Sequence, residues 1–92
     1  MDVYEQIVAR IIKSQETIIG PVAIEQAQRI PHLKVDWESE KISIDGDAAS
    51  AINALVEVYK ELFGQISVEV SKEAAASLAG KLPADQLPEA LR

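Results

Sequence analysis

The stretch "LKVDWESEKISIDGD", Leu33 to Asp47, decides the fold class. Leu33, Val35 and Trp37 alternate with Lys34, Asp36 and Glu38. Beyond a short polar connection, Ile42 and Ile44 alternate with Lys41, Ser43 and Asp45. A period of two on both sides of a polar break is the pattern of a β-hairpin with one face turned to a core. Pairing Trp37 with Ile42 sets Val35 opposite Ile44 and keeps the apolar face continuous. The same register sets Glu38 opposite Lys41 and Lys34 opposite Asp45, and cross-strand opposite charges contribute about 0.2–1 kcal/mol each. A hairpin over residues 33–45, in a chain otherwise patterned as helix, makes the expected class α+β and mostly helical.

Downstream lies "GDAASAINALVEVYKELFG", Gly46 to Gly64. Ile52, Leu55, Val56, Tyr59, Leu62 and Phe63 form a helical stripe, Asp47 suits the N-cap, and Gly64 is a well-placed stop, so a long helix is expected over 48–63. Upstream, Tyr4, Ile7, Val8, Ile11, Ile12, Ile18 and Ile19 recur at spacings of three and four behind a candidate cap, Asp2. Gly20-Pro21 interrupts this helix. The residue before a proline avoids the α region, and proline suits the first position of a new helix. A stop and restart is therefore expected, with a kinked single helix second. Val22, Ala23, Ala27 and Ile30 carry the second, short helix to Pro31.

After Gly64, "QISVEV" alternates like a strand while "SKEAAASLAGKL" is alanine-rich and helical. Either a third short strand precedes a helix, or one helix runs from about Ile66 to Ala79. The single helix is preferred because five alternating residues are a short window. The expected organisation is one compact domain over residues 1–82, followed by a loosely attached extension, 83–92, that carries Pro83 and Pro88 and can form a turn after Pro88.

The chain has 92 residues and only four aromatics, Tyr4, Trp37, Tyr59 and Phe63, so its core is mostly aliphatic. A buried aliphatic side chain contributes about 1.5–3 kcal/mol, and ordering a residue costs about 1–2 kcal/mol. In a chain this short the two nearly cancel, which makes extra burial by self-association useful. A net charge of -6 argues against nucleic acid and against an anionic membrane surface. Without cysteine there are no disulfides, thiolate metal sites or cysteine nucleophiles. "MDVYE" lacks the features of a signal peptide, and no apolar run approaches the roughly 20 residues of a spanning helix. A cytoplasmic protein is the expectation.

Little in the sequence points to catalysis. His32, the only histidine, has no second histidine or cysteine to share a metal ion. Asp36, Glu38, Glu40, Asp45 and Asp47 are oxygen ligands of the kind that hold Mg²⁺ or Ca²⁺. Yet the expected register balances Glu38 and Asp45 with lysines, Asp47 is claimed as a cap, and "DGD" lacks the longer pattern of a calcium loop. None of the serines sits in a nucleophile elbow, and there is no glycine-rich phosphate loop. "ISIDGDAASAINAL" has the outline of a KH-type strand-glycine-helix segment but no GxxG loop, and its surroundings are acidic.

"IIGPVA", Ile18 to Ala23, behind an amphipathic helix, resembles the "IGP(I/M)A" signature of small helical domains attached to bacterial signalling proteins such as Ser/Thr kinases and roadblock-type regulators. The resemblance implies a non-catalytic regulatory or protein-interaction module and transfers no catalytic residue or cofactor. The leading expectation is thus a non-enzymatic cytoplasmic interaction module, self-associating as a dimer. Its candidate interface is Ile18, Ile19, Gly20 and Pro21 at the helical corner with Val35 and Trp37 on the hairpin, which also offers two strand edges. No metal, small-molecule or nucleic-acid partner is expected. Two alternatives are a small metal-dependent or acid–base enzyme built on Asp36, Asp45, Asp47 and His32, and an accessory subunit docking through its first helix.

Overall fold

A computed structural model describes residues 1–92. Its elements are α1 (Val3–Ile19), α2 (Val22–Gln28), β1 (Leu33–Asp36), β2 (Lys41–Ile44), α3 (Ala48–Phe63) and α4 (Gln65–Ala79), with short 3₁₀ turns at Ala84–Gln86 and Glu89–Leu91. This is the mostly helical α+β architecture that the patterning predicts.

Capping sets the helix limits. The Asp2 carboxylate accepts the Glu5 N–H at 2.8 Å while the Glu5 side chain accepts the Asp2 N–H at 3.0 Å, a reciprocal box that satisfies two free donors. Asp47 caps α3 by accepting from Ser50. α1 and α3 end alike, with the N–H of Gly20 on Glu16 O and that of Gly64 on Lys60 O, both at 2.8 Å. Gly20 (φ 77, ψ -158) and Gly64 (φ 87, ψ -176) occupy a backbone region open essentially to glycine alone. The chain therefore stops at Gly20 and restarts at Pro21, whose φ of -59 is already helical.

The helices pack as two corners back to back. α1 runs antiparallel to α4, pinned by the buried Gln15 amide, which donates to Ser67 O at 3.1 Å and to Ser71 Oγ at 3.2 Å. Near the other end of the pair, Arg10 donates to Ser77 Oγ at 3.0 Å. α3 reaches α2 through the buried Tyr59 hydroxyl, which donates to Ala23 O at 2.6 Å. Burial pushes that phenol's pKa well above its ordinary value. Ile7, Val8, Ile11 and Ile12 meet Ile52, Leu55 and Val56 in the core between them. The "QISVEV" segment is the first part of α4, not a strand: Ser67, Val68, Ser71, Ala75 and Leu78 are its buried positions, at helical spacing.

The hairpin lies with β2 against α1 and β1 against α2. Its register differs from the expected one by two residues: Val35 pairs with Ile42, Leu33 with Ile44, Lys34 with Ser43 and Asp36 with Lys41. The connection is consequently Trp37–Glu40. Glu40 adopts a left-handed backbone (φ 56) and returns its N–H to Trp37 O at 3.2 Å, while the Asp36 carboxylate accepts the Ser39 N–H at 3.4 Å. Turn closure by Asp36 thus removes Trp37 from the ladder, and the expected Glu38–Lys41 and Lys34–Asp45 pairs do not form. A slip of two preserves the face of every side chain, so Leu33 and Ile42 are buried as expected.

The C-terminal stretch is not loose. Pro88 and Leu91 are buried, Ala90 N–H donates to the Asn53 side chain at 2.9 Å, and the Tyr4 hydroxyl donates to Gln86 O at 2.9 Å. Each proline opens a 3₁₀ turn, and the second lays Leu91 against α3 and α4.

Candidate interaction surface

The first group of expected interface residues lies at the α1–α2 corner. Ile18 and Pro21 are exposed, while Ile19 and Gly20 are half-buried. Tyr59 reaches Ala23, and Gln15 reaches Ser67. These two bonds bring the α1–α2 corner and the α3–α4 corner to the same end of the molecule. That end carries four of the five large apolar side chains left in solvent: Ile18 (62%), Val22 (38%), Leu62 (53%) and Ile66 (67%). Ile18 also lines a shallow groove between α1 and α4 with Ser14, Thr17, Val70, Glu73 and Ala74. Patterning missed Leu62 and Ile66 as surface groups. Leu62 belongs to a stripe whose other members face the core, and Ile66 lies off the buried stripe of α4.

Val35 and Trp37 form a separate place. Both are half-buried against the core. Trp37 stands between two shallow grooves, one with Ala9, Arg10 and Lys13 of α1, the other with Ile24 and Gln28 of α2. No groove joins these residues to Ile18 or Pro21. The six expected interface residues are therefore divided between a corner and a hairpin tip.

The two edges of the hairpin differ. The Asp45 N–H donates to His32 O at 2.7 Å, and this fixes the alternation of the ladder. Lys34, Asp36, Lys41 and Ser43 turn their backbone groups inward, and Leu33, Val35, Ile42 and Ile44 turn theirs outward. On β1 two of the four outward groups are engaged: Leu33 N–H donates to Ile30 O at 3.2 Å, and Val35 O accepts from the Gln28 amide at 3.3 Å. On β2 no helix, loop, cap or side chain bonds to the outward N–H and C=O of Ile42 and Ile44. Patterning offered two open edges. The structure leaves β2 as the edge with no outward group engaged, while α2 is spaced from β1 so that Gln28 meets it.

No three His, Asp or Glu side chains come together as a metal site. His32 sits in a left-handed conformation (φ 67) beside Gly46, on a cavity of about 340 Å³ that Asp47 and Ser50 also line. The Ser50 hydroxyl donates to the Asp47 carboxylate and not to the imidazole, so the three do not form a proton relay. That hydroxyl, helped by backbone N–H groups of α3, holds the Asp47 pKa below its ordinary value.

No family model matches the chain, and neither a curated protein nor a solved structure matches it. No helix is long and apolar enough to cross a membrane.

Proposed function

We propose that the chain is a non-enzymatic, cytoplasmic protein-interaction module that self-associates. One observation carries this reading: a two-stranded sheet with one edge partly engaged by its own chain and the other with no outward group bonded. Two strands alone are marginal, and an open edge is a template for another strand. The apolar end formed by Ile18, Val22, Leu62 and Ile66 supports the same reading, since single exposed hydrophobics are ordinary but four around two adjoining corners are not. The metal-dependent and acid–base alternative has no supporting geometry, as Asp36 and Asp47 are committed to a turn and a cap.

Sedimentation velocity over a wide concentration range tests the proposal. A monomer–dimer equilibrium in the micromolar range is expected. A strict monomer throughout would sink it.

A further inference from the structure

We infer that the open edge of β2 receives β2 of a second copy, antiparallel and centred on Ser43, so that two hairpins join into one sheet across a twofold axis. This inference rests on the self-association proposed above and names its surface.

The backbone phase supports it. The outward groups of β2 belong to Ile42 and Ile44. In an antiparallel pair centred on Ser43, Ile42 stands opposite Ile44 of the second copy and exchanges both hydrogen bonds with it, and symmetry repeats the exchange. Centres on Ile42 or Ile44 also set outward groups opposite outward groups, so the backbone permits the Ser43 centre and the side chains choose it.

The side chains agree with the backbone. Lys41 and Asp45 lie two residues on either side of Ser43, so the same register sets each Lys41 opposite Asp45 of the other copy. Charges on a sheet edge ordinarily deter pairing. Here their opposite signs and symmetric spacing turn the deterrent into a selective contact, because strand slips or parallel pairing lose it. On the other face the half-buried Ile44 stands opposite the second copy's Ile42, so the paired strands continue one apolar face. Ser43, small and exposed, stands at the axis, where the strands approach most closely. A twofold contact of this kind closes at a dimer, because it uses the same edge of both copies.

The chain has no cysteine, so a single one reports the geometry. Opposed residues at the axis would have Cα atoms about 4.5 Å apart, inside the disulfide range of about 4.4–6.8 Å. Under mild oxidation, Ser43→Cys is expected to form a covalent dimer at least ten times faster than Lys34→Cys, an exposed control on the same face of β1. At 0.15 M salt, where the long-range repulsion is screened, Asp45→Lys, which opposes two lysines across the axis, is expected to weaken association several-fold in sedimentation, with circular dichroism unchanged. A chain that dimerises yet cross-links equally through both cysteines overturns the β2 register and leaves self-association standing. Loss of the dimer in Ile18→Asp or Ile66→Asp, with no response to Asp45→Lys, transfers the contact to the apolar corners. A wild-type monomer defeats both readings.

Discussion

Gly64 and Gly80 stand at the two ends of α4 and make opposite demands. A Cβ on Gly64 would meet nothing within 4 Å, so space is not what requires glycine there. The backbone is, because φ 87 with ψ -176 costs other residues on the order of 1–3 kcal/mol. Gly80 has φ -63 and ψ -15, and a Cβ there would find ordinary contacts at 3.7 Å. Gly64→Ala should therefore lower unfolding free energy by about 1–3 kcal/mol, and Gly80→Ala should raise it by about 0.4–1 kcal/mol through the unfolded chain. Urea titration of both variants checks the pair, with unchanged slopes expected. Asp47 supplies a prediction in pH. Its folded pKa lies below the ordinary 3.8, first because of the Ser50 hydroxyl, so its charge stabilises the fold above that value. The contribution disappears as pH falls through the folded pKa. In Ser50→Ala the strongest hydrogen bond is gone while the backbone donors remain. The Asp47 carboxyl should then titrate closer to 3.8, and the stability gap between variant and wild type should close in acid. Carboxyl-carbon NMR follows the first effect and denaturation across pH the second.

Element by element, what the sequence disclosed depended on how local the deciding interaction is. The ends of α1 and α3 were legible because Asp2, Asp47, Gly20 and Gly64 act within a few residues of themselves. The hairpin's existence and faces were legible from alternation, but its register was not. Period two fixes which side a residue faces and says nothing about a slip of two, and the choice fell to the Asp36–Ser39 contact and the left-handed Glu40. In α4, Ile66 and Val68 imitated a strand, while Ser67 and Ser71 looked like surface yet are buried, the Ser67 carbonyl and the Ser71 hydroxyl accepting from Gln15 of a distant helix. The C-terminal stretch misled for a related reason. Pro83 and Pro88 suggest a loose tail, and the groups that hold it, Asn53 and Tyr4, are far away in sequence. That docking carries a prediction: Leu91→Ala should cost about 2–3 kcal/mol, the lower part of the range for a buried leucine because its site opens to the surface. Thermal unfolding measures it, and a loss below half a kilocalorie would mean that the last turn does not hold the fold.

For the whole molecule, the question is whether two acidic copies can meet at all. Each carries -6, and the body is 32 × 27 × 20 Å. Taking centres about 27 Å apart, the unscreened repulsion in water is about 5.5 kcal/mol. The two Lys41–Asp45 contacts proposed at the axis, exposed as they are, contribute about 0.2–1 kcal/mol each. Long-range repulsion therefore outweighs local attraction at low salt. The Debye length falls from about 30 Å at 0.01 M to about 8 Å at 0.15 M, well inside the separation of centres. Screening then removes most of the repulsion, while the backbone bonds of the edge and the contact of Ile42 with Ile44 are nearly indifferent to it. Association should accordingly tighten as salt is raised over this range, contrary to the usual behaviour of an interface held by ion pairs. Sedimentation equilibrium at the two salt concentrations measures the change. In Asp45→Lys, which brings the net charge of each copy to -4, the salt gain should be smaller, because less repulsion remains to be screened. Weaker wild-type association at the higher salt would instead mean that charge pairs, and not strand addition, hold the two copies together.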